Sequence, residues 1–300
     1  MSVTGGAGRG AEVLDGRAMA RQMLEETMHE VADLTRSRGS IPELRVLMVG
    51  DDAASAVYAR RILRSAESVG SAGQLLTMPG DADPAAVRAR LAELSSDAAV
   101  AGVILQLPLP AGLELASIID ALDPRKDLDG IHPINAGRIS RGSGGFAPSC
   151  AEAAIEILKR AGIPIAGRPA VVVGRSNVVG RPAQLLLIGE DATVTVCHRK
   201  TRDLDAQVRQ AEIVIVAAGA PGLIRGEAIQ PGAAVIDCGI NVLADGTIVG
   251  DVDQPSVLPV AGAITPVPGG VGPVTNAVLM RHLARAARMQ LADEQLLADR

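Results

Sequence analysis

The chain has 300 residues, 48% apolar and 21% charged, with a net charge of −5. That length and composition predict about two globular domains, each with a core. One Tyr, one Phe and no Trp leave little for base stacking, and the negative charge opposes a nucleic-acid surface. No apolar run reaches the length of a membrane span, and the start lacks the charged-then-apolar pattern of a secretion signal. Cys150, Cys197 and Cys238 are odd in number and lack metal-ligand spacing, so a reduced, cytoplasmic setting and no metal are expected.

The first ten residues, four of them Gly, read as a disordered leader. An amphipathic helix is predicted over Leu14–Leu34, and a buried strand over Leu44–Val49 that stops at Gly50. Asp51 to Ser55 has helix-start chemistry, and Ser55–Val69 forms a helix ended by Gly70. It carries the lone Tyr58. Gln74–Met78 reads as a strand, Pro84–Leu94 as a helix and Val100–Leu105 as a third strand. Strands alternating with helices predict a parallel sheet covered on both faces, with ligands at the carboxyl ends of its strands. Two segments fall at such ends: the Ser55–Tyr58 helix start, and Gln106-Leu107-Pro108-Leu109-Pro110. The charged turn Lys126-Asp127-Leu128-Asp129-Gly130 is either a solvated loop or a device that aims a carboxylate at adjacent N–H donors, such as an amino-pyrimidine edge.

In the second half, Ala170–Val173 is a buried strand that runs into a loop from Gly174 to Gly180, followed by a helix with Pro182 in its first turn. This strand–turn–helix turns backbone N–H groups and a helix dipole toward a pyrophosphate, although its spacing is not G-x-G-x-x-G. The next strand, Thr193–Cys197, ends in His198-Arg199-Lys200-Thr201, where an NAD site would carry a ribose-binding carboxylate. Cations there, with Arg175 and Ser176 in the loop before, suit a ribose phosphate and favour NADP over NAD. Strands over Ile213–Ala217 and Ala233–Asp237 complete a Rossmann-type domain.

Gly250-Asp251-Val252-Asp253 leads to Ile264–Thr275, which packs three prolines and three glycines into the eight residues Pro266–Pro273. Such a segment cannot continue a helix or a central strand. Alone it would pass for a connector; after a nucleotide-binding domain it becomes a stiff wall for a ligand. A last helix, Asn276–Met289, is expected to cross back to the first domain. The fold class is therefore α/β, with two three-layer αβα domains: residues 1–147 with 274–300, and residues 148–273.

These segments resemble the methylenetetrahydrofolate dehydrogenase/methenyltetrahydrofolate cyclohydrolase family over nearly the whole chain. Gln106–Pro110, Lys126–Gly130 and Pro266–Pro273 are the most specific; Gly174-Arg175-Ser176, Val179-Gly180 and Gly250-Asp251-Val252 add to them. The resemblance implies that Tyr58 stacks on the aminobenzoyl ring of a folate. Asp129 would hold the pterin edge, Gln106 would sit beside the bridging carbon, and Leu107 and Pro108 would line the same site. Gly269, Gly270 and Pro273 would wall the reacting carbon against the nicotinamide, in the interdomain cleft. Gly174, Arg175, Ser176, Val179, Gly180, His198, Arg199, Ile240 and Thr275 would lie on the cofactor side. A homodimer formed through the Rossmann domain, and a place in one-carbon metabolism feeding purine biosynthesis, are implied by the resemblance alone.

The family performs its hydrolytic step with a lysine one helical turn after the Tyr. Here that position is Ile62, which cannot transfer a proton, and the neighbouring Arg61 stays protonated. Pro148-Ser149-Cys150-Ala151-Glu152-Ala153 also departs from the family's Pro-Cys-Thr-Pro-x-Gly, which could alter the hinge or the folate tail site. The expectation is an NADP-dependent dehydrogenase with weak or absent cyclohydrolase activity. A non-catalytic folate- or nucleotide-binding relative, and a bifunctional enzyme with another proton carrier, stay open.

Overall fold

Apolar runs of five to seven residues become parallel strands, and the amphipathic stretches between them become the covering helices, in a computed structural model that describes residues 10–298. Residues 1–9 of the expected leader lie outside the described residues. In chain order the elements begin β1 (Glu12–Val13), α1 (Gly16–Arg38), β2 (Glu43–Val49), α2 (Ala53–Ser68), β3 (Ala72–Met78), α3 (Pro84–Ser96) and β4 (Val100–Leu105). Short α4 (Leu115–Ile118) and α5 (Pro133–Ser140) follow, then α6 (Ser149–Arg160), β5 (Pro169–Val173), α7 (Gly180–Gly189), β6 (Thr193–Cys197) and α8 (Leu204–Val208). The chain continues through β7 (Ile213–Val216), β8 (Ala234–Asp237), the hairpin β9 (Asn241–Val242) and β10 (Ile248–Val249), α9 (Gln254–Val257), β11 (Ala263–Ile264) and α10 (Val271–Ala298).

The chain divides into two units. One comprises Ala20–Ser149 and the residues from Asn276 onward. Its sheet has the order β3-β2-β4, all parallel. Alternation along β2 sends Leu44 and Val46 to one face, where they meet Ala59, Ile62 and Ala66 of α2 and Leu279, Met280 and Leu283 of α10. Leu47 and Val49 point to the other face, against Val87, Leu91 and Leu94 of α3. The last helix thus packs into the core of this unit.

The other unit comprises Cys150–Thr275 and the described residues up to Met19. Its six parallel strands run in the order β1-β11-β8-β7-β5-β6. Val171, Val173, Val214, Val216 and Val235 pack on one face with Val208, Ile224 and Val257. Val172, Ile215 and Ile236 are buried on the opposite face, as the near-continuous apolar strands require. From β5 the chain passes to β6 on one side and returns to β7 on the other. The carboxyl ends of β5 and β7 therefore form the switch point of this doubly wound sheet, where such folds open a crevice for ligands.

Three expectations change. Residues 10–19 do not group with the first domain: Glu12 and Val13 pair with Ala263 and Ile264 at the edge of the six-stranded sheet. The first helix starts at Gly16, with the Asp15 carboxylate accepting the backbone N–H groups of Arg17 and Ala18. The last helix starts at Val271 and takes in Gly272 and Pro273; a proline in the first turn lacks only an N–H that has no helical partner there.

Candidate functional site

In the three-stranded unit, candidate residues gather at the carboxyl ends of β2 and β4. The Gln106 backbone N–H donates to Leu47 O at 2.8 Å, which continues β4 by one residue. Its side chain is 8% exposed; Nε2 donates to Leu107 O at 2.8 Å, while Oε1 is buried without a hydrogen-bond partner among the described residues. An unmet buried acceptor costs about 1–3 kcal/mol, so this atom is set to receive a donor from outside the fold. The peptide bond between Leu107 and Pro108 is cis.

The turn that follows is not a solvated loop. Its backbone runs beside β4: Val103 N donates to Lys126 O at 2.7 Å and Leu128 N to Val103 O at 3.2 Å. The buried Lys126 ammonium donates to Asp97 O at 2.6 Å, and burial lowers its pKa. Asp127 is buried too and accepts from His132 N at 2.8 Å, Asn135 Nδ2 at 2.9 Å and Ile131 N at 3.2 Å; burial raises its pKa. Leu128 packs into the core. Three of the five turn residues thus build the turn, and Asp129 is the one presented. Asp127 pairs with Val103, so Asp129, two residues on, comes level with the end of β4 beside Gln106.

Burial lifts the Asp129 carboxyl to about 6, with the neighbouring Asp127 adding to the rise. Against this, Ser149 Oγ donates to Asp129 Oδ1 at 2.5 Å, and His282 also favours the ionised form. His282 Nδ1 lies 2.7 Å from Leu128 O, and its ring sits 5.0 Å from that of Phe146. Gly130 needs to be glycine: its φ is +63°, and a Cβ there would stand 2.5 Å from Phe146 O.

Tyr58 lies on α2, half-buried against the same cluster that contains Ile62. Asp52 caps this helix by accepting Ser55 N at 2.7 Å. Ile62 is 0% exposed, packed among Leu44, Ala59 and Leu283. An apolar side chain therefore fills the position one turn after the tyrosine.

In the six-stranded unit the candidates cluster at the switch point. A Cβ on Gly174 would overlap the Ala217 carbonyl at the end of β7, and a Cβ on Gly180 would overlap the Gly174 carbonyl. Only glycine lets these backbones close up, and Gly174 has φ +133°. Ser176 Oγ accepts from Val179 N at 3.1 Å, drawing the loop onto the start of α7, while Arg175 and Ser176 stay exposed. On the adjacent strand Cys197 pairs with Val173, so His198 comes level with Gly174. The His198–Thr201 turn is closed by Thr201 N donating to His198 O at 2.7 Å and Lys200 N to His198 Nδ1 at 3.2 Å; it exposes Arg199 and Lys200. Arg175, Ser176, His198, Arg199 and Lys200 thus share one edge. Ile240 follows β8 and is 67% exposed. Thr275 is buried, and its hydroxyl donates to Val271 O within α10 at 3.0 Å.

The Pro-Gly segment is tied within the same unit. Gly270 N donates to Pro266 O at 2.8 Å, and Gly16, just after β1, packs so close to the Gly270 carbonyl that a Cβ would overlap it. Gly269, with φ +111°, lies against the Arg17 guanidinium.

Residues 14–129 match the tetrahydrofolate dehydrogenase/cyclohydrolase catalytic domain, and residues 148–291 match the NAD(P)-binding domain of the same family. The bifunctional protein FolD of Chloroflexus aurantiacus is 50% identical over 281 residues, 94% of this chain and 99% of the relative. The chain belongs to the tetrahydrofolate dehydrogenase/cyclohydrolase family, and its enzymatic class is that family's dehydrogenase. A crystal structure of the bifunctional FolD methylenetetrahydrofolate dehydrogenase/cyclohydrolase from Campylobacter jejuni superposes with a TM-score of 0.91 at 38% identity, covering 93% of this chain and 99% of that one. A Trypanosoma brucei FolD solved with NADP and an inhibitor superposes at 0.90 with 36% identity, covering 94% of this chain and 99% of that one.

The sequence alone assigns no structural part to Ser149, Asp237 or Asn241, and gives Asp251 only as a member of the Gly250-Asp251-Val252 segment. Ser149 was read only as a departure, yet it donates to Asp129. Buried Asp237 and Asp251, with the half-buried Asn241, form a polar cluster beside the switch point. Their signal was a lone carboxylate ending each of two apolar runs, Val235-Ile236-Asp237 and the approach to Asp251. Among the described residues no group of three or more His, Cys, Asp or Glu is placed to hold a metal.

Proposed function

We propose that this chain oxidises 5,10-methylenetetrahydrofolate to 5,10-methenyltetrahydrofolate with NADP, and that its cyclohydrolase activity is weak or absent. The observation that carries the dehydrogenase reading is the pair of glycine contacts at the switch point, Gly174 on Ala217 and Gly180 on Gly174, under an edge bearing Arg175, Arg199 and Lys200. Two positions without a Cβ and a helix N-terminus fit a pyrophosphate, and three cations without a carboxylate suit a 2′-phosphate. NADP, when bound, accepts a hydride from the folate's bridging carbon.

The chain's own task in that step is alignment and exclusion of water, because the folate nitrogens stabilise the cation left behind. Asp129, largely ionised at neutral pH with its carboxyl at about 6, accepts from the N–H groups of the pterin. Gln106 Oε1 takes a donor near the reacting carbon, and Tyr58 supplies an aromatic face. Leu107, Pro108, Gly269, Gly270 and Pro273 give shape rather than chemistry.

Hydrolysis of the methenyl product needs a group that moves a proton, and at the position one turn after Tyr58 there is a buried isoleucine. Purified protein with methylenetetrahydrofolate should reduce NADP faster than NAD and accumulate the methenyl absorbance. No reduction of either nucleotide would overturn the dehydrogenase reading. Rapid decay of added methenyltetrahydrofolate would overturn the loss of hydrolysis, and Ile62→Lys should raise that decay above the uncatalysed rate.

A further inference from the structure

Asp251 is fully buried, stands outside the chemistry above, and has no cation in its hydrogen-bonding shell among the described residues. Its carboxylate accepts three successive backbone N–H groups, from Ala218 at 2.6 Å, Gly219 at 2.8 Å and Ala220 at 2.9 Å, and a fourth donor, Asn241 Nδ2, at 2.8 Å. Those three residues form the loop leaving β7, one wall of the switch-point crevice. The Gly174–Gly180 loop is the other wall, in backbone contact with Ala217. Asp251 is itself held. Asp237, at the end of β8, accepts Gly239 N at 2.8 Å and Asp251 N at 3.1 Å on Oδ1, and Val252 N at 3.0 Å on Oδ2. Gly239 and Gly250 are glycines because a Cβ on either would run into Asp251 or Asp237.

We infer that Asp251 is the positioning residue of the dinucleotide crevice: it clamps the Ala218–Ala220 loop by three charge-assisted hydrogen bonds, with Asp237 fixing Asp251 in turn. Ala218 N and Gly219 N meet on Oδ2 and Ala220 N on Oδ1, and a carboxylate is the group that satisfies such a row of N–H donors. The loop's outer side remains exposed, so the clamp presents a preformed wall rather than one that must order when the nucleotide arrives. This inference rests on the reading of that crevice as the NADP site.

Asp251→Asn replaces one acceptor oxygen by a second donor facing the N–H row. The expected result is a Kd for NADPH raised about tenfold or more, since a charge-assisted hydrogen bond is worth about 1.5–3 kcal/mol. The Kd for tetrahydrofolate should stay within about twofold, and KM for NADP should rise more than kcat falls. Asn241→Ala, which removes one of the four donors and leaves the backbone clamp, should move NADPH affinity in the same direction by a smaller factor, and it decides the matter if Asp251→Asn does not fold. Unchanged NADPH affinity in the folded variant, or an equal loss of tetrahydrofolate binding, would overturn the positioning role. A parent chain that binds neither NADPH nor NADH would instead overturn the reading of the crevice.

Discussion

Asp129 and its neighbours show how one position in a charged pentapeptide is set apart from the others. Lys126 and Asp127 are held by groups of the turn and its surroundings, and Leu128 is core, so Asp129 is the turn's remaining carboxylate, held by Ser149. Its carboxyl, raised to about 6, has a definite linkage sign. The folded state binds protons more tightly than the unfolded chain, whose carboxyl sits near 3.8. The ionised carboxylate is therefore a cost to stability that is fully present above pH 6 and relieved as pH falls from 6 toward 4. Asp129→Asn should gain stability relative to the parent as pH rises from 4 to 7, by on the order of 1–2 kcal/mol after solvent screening, measured by urea unfolding at each pH. The same variant should lose folate turnover. Ser149→Ala removes the donor that favours the ionised form, so the acid limb of its kcat/KM profile should move to higher pH; an unmoved limb would mean that Ser149 does not act through Asp129.

At the scale of elements, the Pro-Gly segment is held in place by other pieces of the same unit. Two residues of β1 pair with β11 just before the segment, and Gly16 packs against the Gly270 carbonyl. Gly16→Ala should displace the segment at an overpacking cost of about 1–3 kcal/mol, read as a fall in kcat with NADPH affinity retained. Equal kcat in both proteins would show that the contact is dispensable. None of this buttress could be read from the sequence. A two-residue strand has no periodicity to detect, and its partner is some 250 residues away. The long strands and helices were legible because their apolar spacing is local, and the glycine-bounded loop because its turn chemistry is local. The starts of α1 and α10 differ from what apolar spacing predicts for a related reason. Asp15 caps one helix and Pro273 sits in the first turn of the other, positions where chain-breaking residues are tolerated. The parts played by Asp237 and Asp251 are not legible in the sequence, because a buried carboxylate declares itself only through the backbone groups that surround it.

For the whole molecule, the remaining feature is the hairpin β9–β10. Two strands of two residues cannot sustain themselves in water, and this hairpin exposes rather than buries its apolar side chains. Val242 is 70% exposed, and Ile248 and Leu243 are about two-fifths exposed, at 42% and 40%. Exposed apolar side chains on neighbouring residues are candidates for an association surface. The family resemblance implies a homodimer through this domain, and the exposed hairpin is the surface on which that expectation is tested. Sedimentation equilibrium at micromolar concentration should return a mass of twice 30.7 kDa. Val242→Glu places a charge in a desolvated contact and should weaken the dimer at least about tenfold, whereas Asp245→Asn, at the exposed turn of the same arm, should not. A parent that sediments as a monomer, or a Val242→Glu chain that dimerises as tightly as the parent, would exclude the arm as the interface.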